Sequence, residues 1–299
     1  MPAARFALHL GGIALAAAAL ISGPAAGPIA SASPAAPAAS ASTAAPAASA
    51  NSAAAASLAA PAAHHGILPP RNPKRNVKPS PNFLQSRSCA GGRDGTGCNT
   101  MVRRAIARAR RIQEKMHGLS FSLAAYEKLS PVEQLFVTVN LERTARGLAP
   151  AAVLTRTLNR AAQTGANRLQ DPVFQLGPQP GGWTAISFGG NWAGGYDNAL
   201  GSDYGWMYDD GLGSPNVDCT KAHRAGCWGH RDNILGTYST QARCSGRRHE
   251  LAMGAGHVRR NKKFHIDSET ELFVGVCGPQ PKGVVLTWAR ARKLIHARG

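Results

Sequence analysis

Several common chemistries have no sequence basis here. No Cys-x-x-Cys pair occurs in the 299 residues, so a zinc ribbon or other structural zinc has no ligand spacing to rest on. There is no Gly-x-Ser-x-Gly elbow, which leaves a serine nucleophile unsupported. No histidine lies between His117 and His223. Acids are scarce: 16 Asp and Glu stand against 34 Lys and Arg, for a formal net charge of +18. The apolar run Leu10 to Ile21 is too short to span a bilayer as a helix. No cysteine precedes Cys89, so the N-terminal region offers no lipoprotein anchor.

What is present begins with an export pattern. Arg5 and His9 precede the apolar run, and Ala30-Ser31-Ala32 provides a small-residue cleavage site. That order reads as a secretory signal peptide over 1–32. Residues 33–70 begin as an almost pure Ala/Ser/Pro tract, which has little to bury and too many prolines for one long helix; it reads as a flexible linker. All six cysteines follow, and an even count behind a leader predicts disulfides formed outside the cytoplasm. Three cross-links admit 15 connectivities. Local spacing favours Cys89–Cys98 and Cys219–Cys227, which leaves Cys244 with Cys277.

The charge is uneven. Between Arg71 and Lys115 there are twelve Lys or Arg against Asp94 and Glu114. Such a field concentrates polyanions, and outside a cell these are wall polymers, anionic lipid and shed nucleic acid. The expected partner is an anionic cell-envelope polymer or lipid, with no specific nucleic acid. The expected localisation is secreted and envelope-associated, as a monomer.

Helical spacing predicts a basic helix over 101–116, capped by Thr100, with Val102, Ala105, Ala109, Ile112 and Met116 on one stripe. Ser130-Pro131-Val132-Glu133 is a capping box that opens a second helix, and Gly147 ends it. A third helix is predicted over 155–169, where Gly165 implies another backbone passing close by. The segment 177–213 mixes glycine with aromatics and suits either a cleft wall or a loop cluster. A short helix over 198–208 lies inside it. Leu251–Val258 and Leu272–Cys277 predict an antiparallel hairpin, and 283–288 a further strand. Helices first and strands later argue for an α+β domain. The divisions are 71–129, a basic extension with one disulfide and one helix; 130–280, the main domain; and 281–299, a basic C-terminal strand and tail.

The densest motif is Cys227-Trp228-Gly229-His230-Arg231-Asp232-Asn233-Ile234-Leu235, where an imidazole that titrates near neutrality sits in a crowded polar turn. With Asn140-x-Glu142-Arg143-x-x-x-Gly147-Leu148, Gly189-Gly190-Asn191-Trp192-Ala193-Gly194-Gly195 and Trp206-Met207, it resembles the CAP superfamily, also called SCP-like, in its bacterial secreted branch. The resemblance covers about Ser130 to Pro279. It implies an α-β-α sandwich with a central antiparallel sheet, here disulfide-stabilised.

Many members of that family carry two histidines and two glutamates around a large cleft, and some bind a divalent metal there. Position by position only His230 carries over. One glutamate falls at Gly190, the other has Asp209 as a stand-in, and the first histidine has no counterpart. An insertion over 212–227 adds Asp218, Lys221 and His223 at the cleft edge. A catalytic zinc normally needs three protein ligands, so His230 with Asp209 falls short, and no cofactor is expected. Asp203, Asp209, Asp210 and Asp218 offer oxygens to calcium but are scattered in sequence. The function these residues imply is non-catalytic binding of a lipid, glycan or envelope ligand in a cleft walled by Trp192, Trp206 and Trp228, with Asn191, Asp209, His230 and Arg231 as its floor. The alternatives are a metal-assisted or histidine-based hydrolase using His230, and a polyanion-binding envelope protein.

Overall fold

The computed structural model describes residues 71–89, 95–196, 198–222, 226–238, 244–262 and 266–296. The expected signal peptide and linker lie outside these residues, as does His223. The described chain belongs to one compact unit. Its elements, in order, are α1 (Thr96–Glu114), α2 (Leu123–Tyr126), α3 (Pro131–Ala145), β1 (Val153–Thr155), α4 (Arg156–Arg168), β2 (Gly177–Pro178), β3 (Thr184–Gly194), α5 (Ala199–Tyr208), α6 (Gly229–Leu235), β4 (His249–Val258), β5 (Ser268–Cys277), β6 (Val284–Thr287) and α7 (Trp288–His296).

The strands form one six-stranded sheet in the order β2-β3-β5-β4-β1-β6. β3, β5 and β4 pair antiparallel, with Asn191 opposite Glu271 and Met253 opposite Phe273. β1 runs parallel to β4. The sheet is therefore mixed rather than purely antiparallel, because β1 and β4 are joined by a long connection that starts with α4 instead of by a hairpin.

Period-two alternation sends side chains to both faces. Ala252, Leu272, Val274 and Val276 pack with Leu158 and Ala162 of α4 on one face. Leu251, Met253, Ala255 and Phe273 face a larger core that holds side chains of α1, α3, α5, α6 and α7. α4 lies so close to β4 that a Cβ at Gly254 would come within 2.3 Å of the Leu158 backbone.

Local signals account for most helix ends. In α3 the Glu133 carboxylate takes the Ser130 amide at 2.9 Å, closing the capping box, and Gly147 turns left-handed at φ +73. Thr155 and Asn198 cap α4 and α5 by accepting the amides of Leu158 and Gly201. α1 starts earlier than its apolar stripe predicts, at Thr96 after Gly95, so Thr100 lies inside it rather than capping it, and the Cys89–Cys98 disulfide ties its first turn to the segment before it. Cys219–Cys227 and Cys244–Cys277 complete the cross-links. The expected C-terminal strand and tail are β6 and α7, whose Trp288, Ala291 and Ile295 are buried.

α1 belongs to the same core as the main domain. Val102, Ala105, Ile106 and Ala109 are buried in it. Arg110 of α1 and Arg146, just after α3, both grip the fully buried Glu142, which also accepts the Tyr208 hydroxyl at 2.6 Å. Burial opposes ionisation of Glu142, but the two guanidiniums and the Tyr208 hydrogen bond hold its carboxyl below the ordinary range. Glu114, also on α1, joins Arg146 to Arg231 of α6.

Candidate functional site

The segments that carry the motifs bond to one another. Arg143 of α3 donates to the carbonyls of Ile234 and Gly236 at 2.6 and 2.9 Å, fixing the end of α6. Asn233 donates to Gly190 O and Asn191 Oδ1 at 2.9 and 3.0 Å, and Asn191 donates to the His230 carbonyl at 3.0 Å. These bonds hold α6 against β3, with Trp228 in a left-handed turn at φ +64 just before it.

Asp210, following α5, is the knot of the turn. Its carbonyl accepts the Trp228 amide at 3.1 Å, and one carboxylate oxygen accepts the His230 amide at 3.1 Å. The other accepts Asn216 Nδ2 at 2.7 Å and lies 2.7 Å from Nδ1 of His230. Nδ1–H is thus the donor, and in the neutral ring Nε2 keeps its lone pair. Nε2 faces Asp171, 3.9 Å away. Asp218, from the insertion, completes a group: one ligand atom each from Asp171, Asp218 and His230, all within 4.8 Å of one another.

Burial alone would push the His230 imidazole down, but the Asp210 hydrogen bond and the charges of Asp210, Asp171 and Asp218 carry it above its usual value. Asp171 and Asp210 are both raised, first by burial and against the pull of His230.

Two glycines deliver Asp171. A Cβ at Gly165 would come within 2.9 Å of Gln170 O and 3.1 Å of Pro172, so the chain folds back tightly over the end of α4. A Cβ at Gly190 would come within 2.7 Å of Pro172 O. Pro172 therefore packs directly on Gly190, and its neighbour Asp171 faces the imidazole.

The group opens into a cleft of about 430 Å³ walled by Trp192, Trp206 and Tyr196, with Asp209, Asp210 and Val217 also at its surface. Trp206 donates Nε1–H to the Trp192 carbonyl at 3.1 Å, and Trp192 donates to Ser268 Oγ at 2.9 Å, so both indoles are pinned. Asp171, Asp209, Asp210 and Asp218 all line the cleft, and among the described residues no Lys or Arg does. In a chain of net charge +18, the cleft gathers negative charge.

Several expected site residues stand elsewhere. Asn191 and Arg231 are fully buried and are not the floor. Asn191 holds the His230 backbone, and Arg231 donates to Met207 O at 2.7 Å and Glu114 at 2.6 Å. Trp228 is not among the cleft-lining residues; its indole packs where a Cβ on Gly211 would come within 2.8 Å. Asp209 lines the cleft but turns to Lys78, with oxygens 3.2 and 3.3 Å from Nζ, and lies outside the His230 group. Asp171 and Asp210 were legible only as a helix stop and as a scattered acid, because nothing in their spacing reports a fold-back over Gly165. Asp218 was placed at the cleft edge by the insertion.

Comparison with protein-family models, with curated proteins and with solved structures finds no match to the chain.

Proposed function

We propose that this chain is a secreted, CAP/SCP-like domain that works by binding. Its acidic, tryptophan-walled cleft takes a divalent cation at Asp171, Asp218 and His230, and with it an oxygen-bearing ligand whose apolar part lies on Trp192 and Trp206. The carrying observation is the convergence of the three ligand atoms within 4.8 Å. Two carboxylates and one imidazole with an open side match the three-ligand pattern of accessible zinc sites, and Asp210 supplies the outer carboxylate that such histidines usually have. A bound cation would supply Lewis acidity to a ligand oxygen.

The CAP/SCP-like reading draws support from the mutual hydrogen bonds of its motif residues, Arg143 to α6 and Asn233 to β3. Export draws support from the three disulfides, which form and persist outside the cytoplasm. Among the described residues no helix is long and apolar enough to cross a membrane. Hydrolysis is the second reading, favoured only by the Asp210–His230 dyad, which orients an imidazole as a base would be oriented.

Isothermal titration of the full chain with zinc and with calcium tests the reading. One-site zinc binding is expected, abolished in His230→Ala and weakened at least about tenfold in Asp171→Asn and in Asp218→Asn. Absence of heat with both ions, or heat unchanged in all three variants, removes the cation from the function.

A further inference from the structure

One face of α1 is left out of the core and out of the cleft. Arg104, Arg108, Arg111 and Lys115 recur at steps of four, three and four residues, and all four are exposed. At 1.5 Å per residue they form a stripe about 16 Å long. Two of the helix's other charges are spent. Arg110 is buried on Glu142, and Glu114 turns to Arg146 and Arg231. Arg103 lies 5.7 Å over the Phe121 ring and donates to its carbonyl. Among the described residues no acid pairs with the four stripe cations. Beside the stripe, a groove of about 350 Å³ is lined by Arg103, Arg104, Gly118, Ser120 and Phe121.

We infer that this face docks a linear phosphodiester polymer of the cell envelope, with successive phosphates along the stripe and one seated in the groove between Arg103 and Arg104. Guanidinium forks match phosphate oxygens in geometry as well as charge. The steps along the helix, about 4.5–6 Å of rise, suit an extended chain with one charge per short repeat. A lipid surface fits less well. Insertion needs apolar side chains on the exposed face, and the apolar side of α1 is buried while the exposed large apolar residues, among them Leu84, Val173, Phe188 and Leu294, lie on other elements. Single-stranded nucleic acid fits less well because it is held by base stacking on aromatics. The exposed aromatic among those apolar residues is Phe188, on β3.

The site differs from the cleft, so its test is independent of the cation. The full chain is titrated with poly(glycerol phosphate), with single-stranded DNA of equal phosphate number and with anionic phospholipid vesicles, each over a range of NaCl. Deletion of α1 is no use, since α1 is part of the core. The variant is therefore Arg104→Gln/Arg108→Gln/Arg111→Gln/Lys115→Gln. Its control removes the same charge from exposed positions elsewhere, as Arg156→Gln/Arg160→Gln/Arg168→Gln/Lys282→Gln. The slope of log affinity against log salt is expected to fall by about 0.7 per lost phosphate contact, roughly three for the stripe variant, and to stay within one of wild type in the control, with both variants melting as wild type does. The inference is overturned if the stripe variant binds the polymer as wild type, if the control loses as much, or if the wild type prefers DNA or vesicles.

Discussion

Nδ1 of His230 lies 2.7 Å from one oxygen of Asp210, and the other oxygen of that carboxylate takes the His230 backbone amide at 3.1 Å. One side chain thus fixes both the ring and the main chain of the residue that faces the cleft. Asp210→Asn keeps the shape but loses the charge. Zinc affinity is expected to fall about 10–100-fold, as when an outer carboxylate is removed from a metal-binding histidine. Without metal, the His230 titration followed by NMR should move down, because burial, which already opposes the charged ring, then acts against weaker support.

Gly190 tests the delivery of Asp171. In Gly190→Ala the new methyl meets the Pro172 backbone at 2.7 Å, so the fold-back must shift. Overpacking of this kind costs about 1–3 kcal/mol. Cation affinity should fall as in Asp171→Asn, although no ligand has been touched. Titration calorimetry and urea unfolding on the same sample separate the two effects. Unchanged affinity would mean that Asp171 does not depend on this contact.

Glu142 is expected to be a scaffold residue. It is fully buried, gripped by Arg110 and Arg146 and bonded to Tyr208. Glu142→Ala leaves two buried guanidiniums without their partner and should cost about 3–5 kcal/mol. Its carboxyl is held below the ordinary range. The stability it contributes is therefore present above the unfolded value and is lost as pH falls through the folded one. Urea midpoints at neutral pH and in acid check both statements, and equal midpoints for wild type and variant at neutral pH would contradict them.

Glu271 behaves in the opposite sense. It is fully buried on β5, bonded only weakly to Asn191, and Oε1 has no hydrogen-bond partner. Burial, then the nearby Asp203, push its carboxyl well above the usual range. The folded chain keeps this proton when the unfolded chain has released it, so stability falls as pH rises past the unfolded value. Glu271→Gln removes that dependence. It should stabilise the protein by at least about 1 kcal/mol at neutral pH and by nothing near pH 4. A denaturation series across this range reads the difference, and a variant less stable than wild type at pH 7 would show that the carboxyl is satisfied.

Local chemistry made the helices readable: the capping box at Ser130 and the apolar stripe of α1 both act within a few residues. β3 was not readable. Its glycines and aromatics look like a loop, and only pairing with β5 along ten positions, from Thr184–Cys277 to Gly194–Ser268, makes it a strand. The cleft was half readable. His230, Trp192 and Trp206 announce themselves by motif. Asp171 and Asp210 do not, since one arrives by a fold-back and the other by a turn closed through Asn216 and Trp228. Asn191 and Arg231 misled for a related reason: polar residues in a motif suggest ligands, yet both are consumed in holding β3, α5 and α6 together.

Glu114 sits on α1 while its carboxylate meets Arg231, the neighbour of His230. The helix that presents the cationic stripe and the turn that presents the imidazole are therefore riveted together by an ion pair. A polymer strand laid along α1 would not merely tether the protein; it would set the compass heading of the cleft's mouth, so that whatever the cleft takes up is sampled from a constant side of the strand.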